Sequence, residues 1–232
     1  MKIEVCVTSI ETAIVADKLG VNRIELCSAL TSGGLTPNYG LIEACVEQTS
    51  LEVSVMIRHN EGDFVYSDAD LDIMLKDIEM AKVSGATGVV FGCLTEYNTI
   101  NFDQCEFLIS RAQALDLDVT FHRAFDFLED PFQGMEVLVD LGFDRILTSG
   151  KAESAELGIS LLEDLVKSAN HRIGIMAGSG INSSNVAKIV EVGVDAIHFS
   201  AHRSASASID FGMGIKTEPD TQKIKAIIDV LR

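Results

Sequence analysis

The chain has 232 residues, 47% hydrophobic and 23% charged, a length that suits one large α/β domain or two small ones with a sizeable core. Eighteen Lys and Arg against 35 Asp and Glu leave a net charge of −17, which repels phosphate backbones and anionic membrane surfaces and argues against nucleic-acid binding. Aromatics at 6% with no Trp disfavour stacking on bases, and three Pro with 18 Gly exclude a collagen-like or Pro-rich linker chain.

The first residues, MKIEVCVTS, hold no long apolar stretch and no small-residue cleavage site, and nowhere does an apolar run reach the length of a membrane span. Five Cys, at positions 6, 27, 45, 93 and 105, are scattered without a C-x-x-C. In a chain with no export signal they are expected as reduced thiols, and the expected location is the cytoplasm.

Short β-branched runs alternate with amphipathic segments along the whole chain. In order, the patterns predict strand Ile3–Val7 and helix Ile10–Leu19, strand Arg23–Cys27 and helix Tyr39–Gln48, strand Glu52–Ile57 and helix Asp68–Ser84, and strand Gly88–Gly92 and helix Asp103–Leu115. They continue with strand Asp118–His122 and helix Pro131–Leu141, strand Arg145–Thr148 and helix Ala155–Ser168, strand Arg172–Met176 and helix Asn185–Val192, and strand Ala196–Ser200 and helix Thr221–Leu231. Pro131 suits a first helical turn, and Gly20, Gly85, Gly142 and Gly193 follow helical runs as C-terminal glycines do. Eight strands alternating with eight helices predict an α/β fold, a single (β/α)8 TIM barrel rather than an open Rossmann sheet of about six strands. Residues 1–201 form the expected core; residues 202–232 add a long loop, read over 201–220 with the S-A-S-A-S stretch Ser204–Ser208, and a C-terminal helix of the same domain.

Strand alternation assigns the faces. Glu4 and Cys6 point inward, as do Arg23, Glu25 and Cys27, then Ser54, Met56 and Arg58, Thr120 and His122, Arg145 and Ser149, Met176, and His198 and Ser200. This set is far more polar than the Val, Ile and Leu that usually fill a barrel, and buried charges must pair. Glu25, His122 and Arg58 form the candidate catalytic group: Glu or His moves a proton while the Arg fork holds a carboxylate or phosphate. A buried ion-pair network is the competing explanation, and it suits Glu4 and Arg23, lower in their strands, better. The turns Thr148-Ser149-Gly150 and Ala177-Gly178-Ser179-Gly180 make Ser149, Gly150, Gly178 and Gly180 candidate anion-binding positions together with Arg58, although glycine also simply makes tight turns. Cys6 and Cys27, read at equivalent heights on adjacent strands, are candidate Cu(I) ligands because soft thiolates select that ion; Cys and Met are also ordinary core residues. No Lys lies at the C-terminal end of a strand, which argues against a Schiff-base aldolase, and without G-x-G-x-x-G or a P-loop there is no sign of dinucleotide or ATP-driven chemistry.

The blocks Arg23-Ile24-Glu25-Leu26-Cys27-Ser28-Ala29-Leu30, Gly33-Gly34-Leu35-Thr36-Pro37, Thr120-Phe121-His122-Arg123-Ala124-Phe125-Asp126 and Arg145-Ile146-Leu147-Thr148-Ser149-Gly150, found together and in order, resemble the CutC family. The resemblance runs from residue 3 to about 201 and departs at His59-Asn60 and at Ala177-Gly178-Ser179-Gly180. It implies a cytoplasmic (β/α)8 protein, often self-associated into a homo-oligomer, with a role in copper homeostasis through Cu(I). Two functions follow as alternatives. One is copper handling with Cys6 and Cys27 as the metal ligands and a copper ion as partner. The other is an enzyme acting on a small anionic or phosphorylated molecule by acid–base chemistry through Glu25, His122 and Arg58.

Overall fold

A computed structural model describes residues 1–204 and 217–232. Eight parallel strands, β1 (Lys2–Val7), β2 (Arg23–Leu26), β3 (Glu52–Met56), β4 (Gly88–Phe91), β5 (Asp118–Phe121), β6 (Arg145–Thr148), β7 (Gly174–Gly178) and β8 (Ala196–Ser200), close into a barrel in chain order, with β8 paired back onto β1. The helices α1 (Ile10–Leu19), α2 (Tyr39–Gln48), α3 (Asp68–Val83), α4 (Phe102–Ala114), α5 (Pro131–Leu141), α6 (Ile159–Ala169), α7 (Val186–Glu191) and α8 (Thr221–Leu231) follow the strands in turn. The expected (β/α)8 TIM barrel is the fold observed.

Local chemistry explains the boundaries. Ser67 and Asp70 form a reciprocal capping box at the start of α3, and Asp130 caps α5 with Pro131 in its first turn. Gly20 and Gly142 end α1 and α5 in the left-handed conformation. The outward residues of the strands, among them Val5, Ile24, Val55, Val89, Val119, Ile146, Ile175 and Ile197, join the helices in one large core. Inside the barrel the apolar groups are few: Cys6, Cys27, Met56 and Val90 make one cluster and Leu147, Met176 and Ala196 another. No helix among the described residues is long and apolar enough to cross a membrane.

Three sequence expectations need correction. The seventh strand begins at Gly174, not Arg172. Asn170 and His171 adopt positive φ, and Arg172 turns back to the Ala169 and Ser168 carbonyls and to Glu136. The sixth helix begins at Ile159, not Ala155, because the Ala155 N–H is engaged by the Ser179 carbonyl and the preceding turns fold over Ser149 and Gly150. The stretch 201–220 is not a loop throughout: β9 (His202–Ser204) and β10 (Thr217–Pro219) pair antiparallel, while the rest, including 205–208 of the Ser-Ala repeat, lies outside the described residues. Short 3-10 turns at Leu30–Ser32 and Arg123–Phe127 were not foreseen. After the second strand pair, α8 returns to the barrel and buries Ile224, Ile227 and Ile228.

The tightest backbone crossing lies beside the sixth strand. A Cβ on Gly158 would sit 2.0 Å from the Ser149 carbonyl oxygen. Gly158→Ala should therefore lower stability by about 1–3 kcal/mol, the usual range for overpacking, read as a lower urea midpoint. Gly40→Ala in α2, where the nearest atom is 3.7 Å away, should leave the midpoint unchanged or raise it.

Candidate functional site

The site begins with Glu4 in β1, which is fully buried. The register places Arg23 level with it on one side and His198 on the other. The Arg23 Nε–H donates to Glu4 Oε2, and His198 Nδ1 lies 2.7 Å from Glu4 Oε1. Burial alone would raise the Glu4 carboxyl, but the His198 hydrogen bond and the Arg23 and His198 charges outweigh it and hold it down at about 2. Arg23 and Glu4 thus form the buried ion pair expected of residues low in their strands.

Above them sits Glu25, level with Cys6 across the β1–β2 pairing. Its Oε2 is 3.7 Å from His198 Nε2, and its Oε1 is buried without a hydrogen-bond partner among the described residues. Burial lifts the Glu25 carboxyl above its ordinary value, against the pull of the His198 charge and with the help of the Glu4 charge. His198 is lowered by burial but raised more by Glu25 and Glu4, so the ring sits above its ordinary value. Cys6 and Cys27 are not at equivalent heights, since Cys6 is level with Glu25 and Cys27 lies past the end of β2. Their sulfurs nevertheless meet diagonally at 3.3 Å, both thiols free and buried. The hydrogen bond between them, then burial, then the Glu25 charge hold the Cys6 thiol well above the usual range. One ligand atom from each of Cys6, Glu25 and Cys27 falls within 4.8 Å of the others, and so it does for Glu4, Glu25 and His198; Glu25 belongs to both groups.

Arg58 and His122 line the same cavity as Cys6, Glu25 and His198, an opening of about 280 Å3 at the C-terminal mouth of the barrel. Three of the five Arg58 donors are already committed, however. Arg58 Nη1 donates to the Ser32 and Gly34 carbonyls at 2.7 and 3.2 Å, and Nη2 to the Gly62 carbonyl at 2.7 Å. Its fork pins two loops to the barrel; one Nη2 hydrogen and the Nε–H remain, and Nε is buried and unpartnered among the described residues. His122 fits because Gly92 has no side chain: a Cβ there would lie 2.8 Å from His122 Nδ1. That nitrogen accepts the Ala124 N–H at 3.3 Å, which puts the proton of the neutral ring on Nε2. Nε2 is a buried donor with no partner among the described residues. Burial, with the Arg58 charge, holds the His122 ring down at about 3.

The anion positions expected in the glycine turns divide. Ser149 and Gly150 do not face the cavity, because an internal carboxylate already occupies that turn. Asp126 accepts the Thr148 hydroxyl at 2.5 Å, the Ser149 and Lys151 N–H groups at 3.1 Å, and the Ser149 hydroxyl at 3.0 Å. Gly178 packs against Leu147 and His198, where a Cβ would lie 2.6 Å from Leu147 Cδ1; Gly180 does line the cavity. Arg145 points inward at the opposite end, donating to Thr120 Oγ1 and Asp118 at 3.0 and 2.7 Å. Sequence reasoning missed Lys223. It comes from the first turn of α8, not from a strand end, yet it lines the cavity and donates to the Ser200 carbonyl at 2.7 Å. Burial lowers its ammonium below the ordinary value. The signal was its position three residues after Asp220, which caps α8.

The neutral burial of His122 has a measurable consequence. The unfolded chain protonates this ring near the ordinary value of 6.5, whereas the folded ring stays neutral down to about 3. Its stabilisation is complete above the first value and is lost as pH falls toward the second, at a slope approaching about 1.4 kcal/mol per pH unit. Urea unfolding of His122→Asn, which keeps an acceptor for the Ala124 N–H, should show a correspondingly shallower loss between pH 6.5 and pH 4.

With this geometry in hand, comparison with known proteins is informative. The sequence profile described as the CutC family matches residues 1–203. The family protein CutC of Glaesserella parasuis is 44% identical over 239 residues, covering 98% of this chain and 98% of that protein. The copper homeostasis protein cutC homolog of Homo sapiens is 45% identical over 210 residues, covering 90% of this chain and 75% of that protein. A crystal structure of the copper homeostasis protein CutC from Streptococcus agalactiae superposes with a TM-score of 0.81 at 36% identity, covering 86% of this chain and 98% of that one. A deoxyribose phosphate aldolase from Aeropyrum pernix, at a TM-score of 0.67 and 15% identity over 100% of this chain and 91% of that one, shares the fold alone. A β1–β2 thiol pair above a buried Glu–Arg–His network, inside an eight-stranded barrel, is thus the interior of a chain that belongs to the CutC family.

Proposed function

We propose that this chain serves copper homeostasis by binding one Cu(I) ion between Cys6 and Cys27, with Glu25 beside them. The observation that carries the reading is the pair of reduced thiols 3.3 Å apart, of which Cys6 lines the mouth cavity and Cys27 is fully buried. Soft thiolates select Cu(I) over harder cations. At that distance the sulfurs are in mutual contact, so the pair must part to admit an ion and each thiol must give up its proton. The cytoplasmic setting expected from the sequence keeps both thiols reduced, and the copper homeostasis names of relatives support the role. Self-association is carried as part of the same reading.

A second reading has an observation of its own. Glu25 Oε1, Arg58 Nε and His122 Nε2 are three buried polar atoms without partners among the described residues, on side chains that line one cavity. A single ion on two sulfurs satisfies none of them, whereas a small molecule with its own hydroxyl or carbonyl groups does. In this reading Glu25 is the proton-moving group, His122 a neutral hydrogen-bond donor, and the protein an enzyme acting on a small anionic molecule.

The copper reading is tested by anaerobic competition of the reduced protein against a Cu(I) chelator. The expected stoichiometry is about one Cu(I) per chain, removed in the Cys6→Ser/Cys27→Ser double variant and retained in Cys45→Ser. Unchanged stoichiometry and affinity in the double variant would overturn it.

A further inference from the structure

We propose that the mouth cavity binds a small organic oxyanion bearing a hydroxyl group, with the Lys223 ammonium as its charge partner; this rests on the acid–base reading above and names its ligand. The cavity gathers cations in a strongly acidic chain. The chain carries −17 overall, yet Arg58, Arg123, Lys223 and His198 line the opening against one carboxylate, Glu25. Two of those cations are already engaged: Arg123 is held by Asp126 at 2.8 Å and His198 by Glu4 at 2.7 Å. Arg58 has three of its five donors on carbonyls.

Lys223 is different. Among the described residues its ammonium has one hydrogen bond, to the neutral Ser200 carbonyl at 2.7 Å, which leaves two of its three donors for a ligand. The nearest acid in sequence, Asp220, is occupied as the cap of α8, accepting the Lys223 backbone N–H at 2.9 Å. No carboxylate lies within 4.0 Å of the ammonium among the described residues. It stands by the eighth strand, the side of the barrel where this fold commonly places anionic head groups.

The remaining polar groups specify the other end of the ligand. Glu25 Oε1 is an acceptor without a donor, and His122 Nε2 is a donor without an acceptor. A hydroxyl supplies both functions in one group, which a bare acetate does not. The volume of about 280 Å3 lies at the small end of the range for ligand pockets, about 300–1,000 Å3, and suits a skeleton of a few carbon atoms. The head is an oxyanion, either carboxylate or phosphate.

The test uses the reduced, metal-free full chain and two three-carbon probes, glycerate and glycerol 3-phosphate, followed by calorimetric titration. Acetate and glycerol serve as controls that lack the hydroxyl and the charge respectively. We expect saturable one-to-one binding of glycerate or glycerol 3-phosphate, the tighter of the two identifying the head group, with both controls at least tenfold weaker. Lys223→Met should weaken the charged probe at least tenfold, Lys223→Arg should retain most of it, and Cys45→Ser, in α2 and away from the cavity, should leave it unchanged. A Lys223→Met variant that binds as tightly as the wild type overturns the assignment of Lys223; if Glu25→Gln still weakens the probe, the acid–base reading stands without it. No saturable binding of either probe overturns both.

Discussion

A carboxylate sealed from water sets the terms for the interior of this barrel. An unpaired Glu4 would be prohibitively expensive where it lies, and it is tolerated because the strand register delivers Arg23 on one side and His198 on the other. The consequences run upward in steps. With Nδ1 held by Glu4, the His198 ring presents Nε2 toward Glu25. Glu25, level with Cys6, then stands beside the thiol pair. Removing either partner of Glu4 would leave a buried charge alone, which is far more damaging than losing the pair together. The ion pair is thus a positioning device whose effects reach the cavity through His198.

The same economy appears in how anionic and cationic groups are distributed around the mouth. The turn after β6 has the outline of an anion cradle, but Asp126 fills it and locks Thr148, Ser149 and Lys151 in place. The Arg58 guanidinium has the outline of an anion clamp, but its fork fastens the Ser32–Gly34 and Gly62 loops to the end of β3. It also lies over the Phe64 ring at 5.2 Å, and Phe64 in turn packs at 4.8 Å on His122. Groups that look like ligand contacts therefore also serve as the scaffold that gives the mouth its shape, and Lys223, a cation with donors to offer among the described residues, is carried by the last helix.

These distinctions mark what could be read from the sequence. The alternation of β-branched runs with amphipathic helices was legible because the outward face of every strand is apolar and packs on a helix. The inward polarity of Glu4, Cys6, Arg23, Glu25, Met56, Arg58, His122 and His198 was legible for the same reason, through the two-residue period of a strand. Partnership was not. Whether Arg58 clamps a ligand or holds carbonyls depends on where loops of different sequence separation converge. Whether Ser149 faces a ligand depends on Asp126, more than twenty positions earlier in the chain. Lys223 was invisible to a search of strand ends because a helix brings it to the mouth across the eighth unit. Strand seven was misplaced because Arg172 looks like the start of a β run but is engaged by the end of α6 and by Glu136.

Thiols and cations in one cavity are not competing designs. With its thiol held well above the usual range, Cys6 keeps its proton and adds no charge beside Glu25. Two thiolates on one Cu(I) carry a net charge of about −1, since two protons leave and one positive ion enters. A negative complex in a low-dielectric wall needs positive charge nearby, and Arg58, Lys223 and His198 line the space it would adjoin. The feature proposed to draw an oxyanion into the mouth of a strongly acidic protein is the same feature that would offset the charge of a dithiolate–Cu(I) centre. An anion held at Lys223 would neutralise part of that positive charge and so weaken the stabilisation of the metal complex, which makes the two ligands antagonists across a few residues of one barrel.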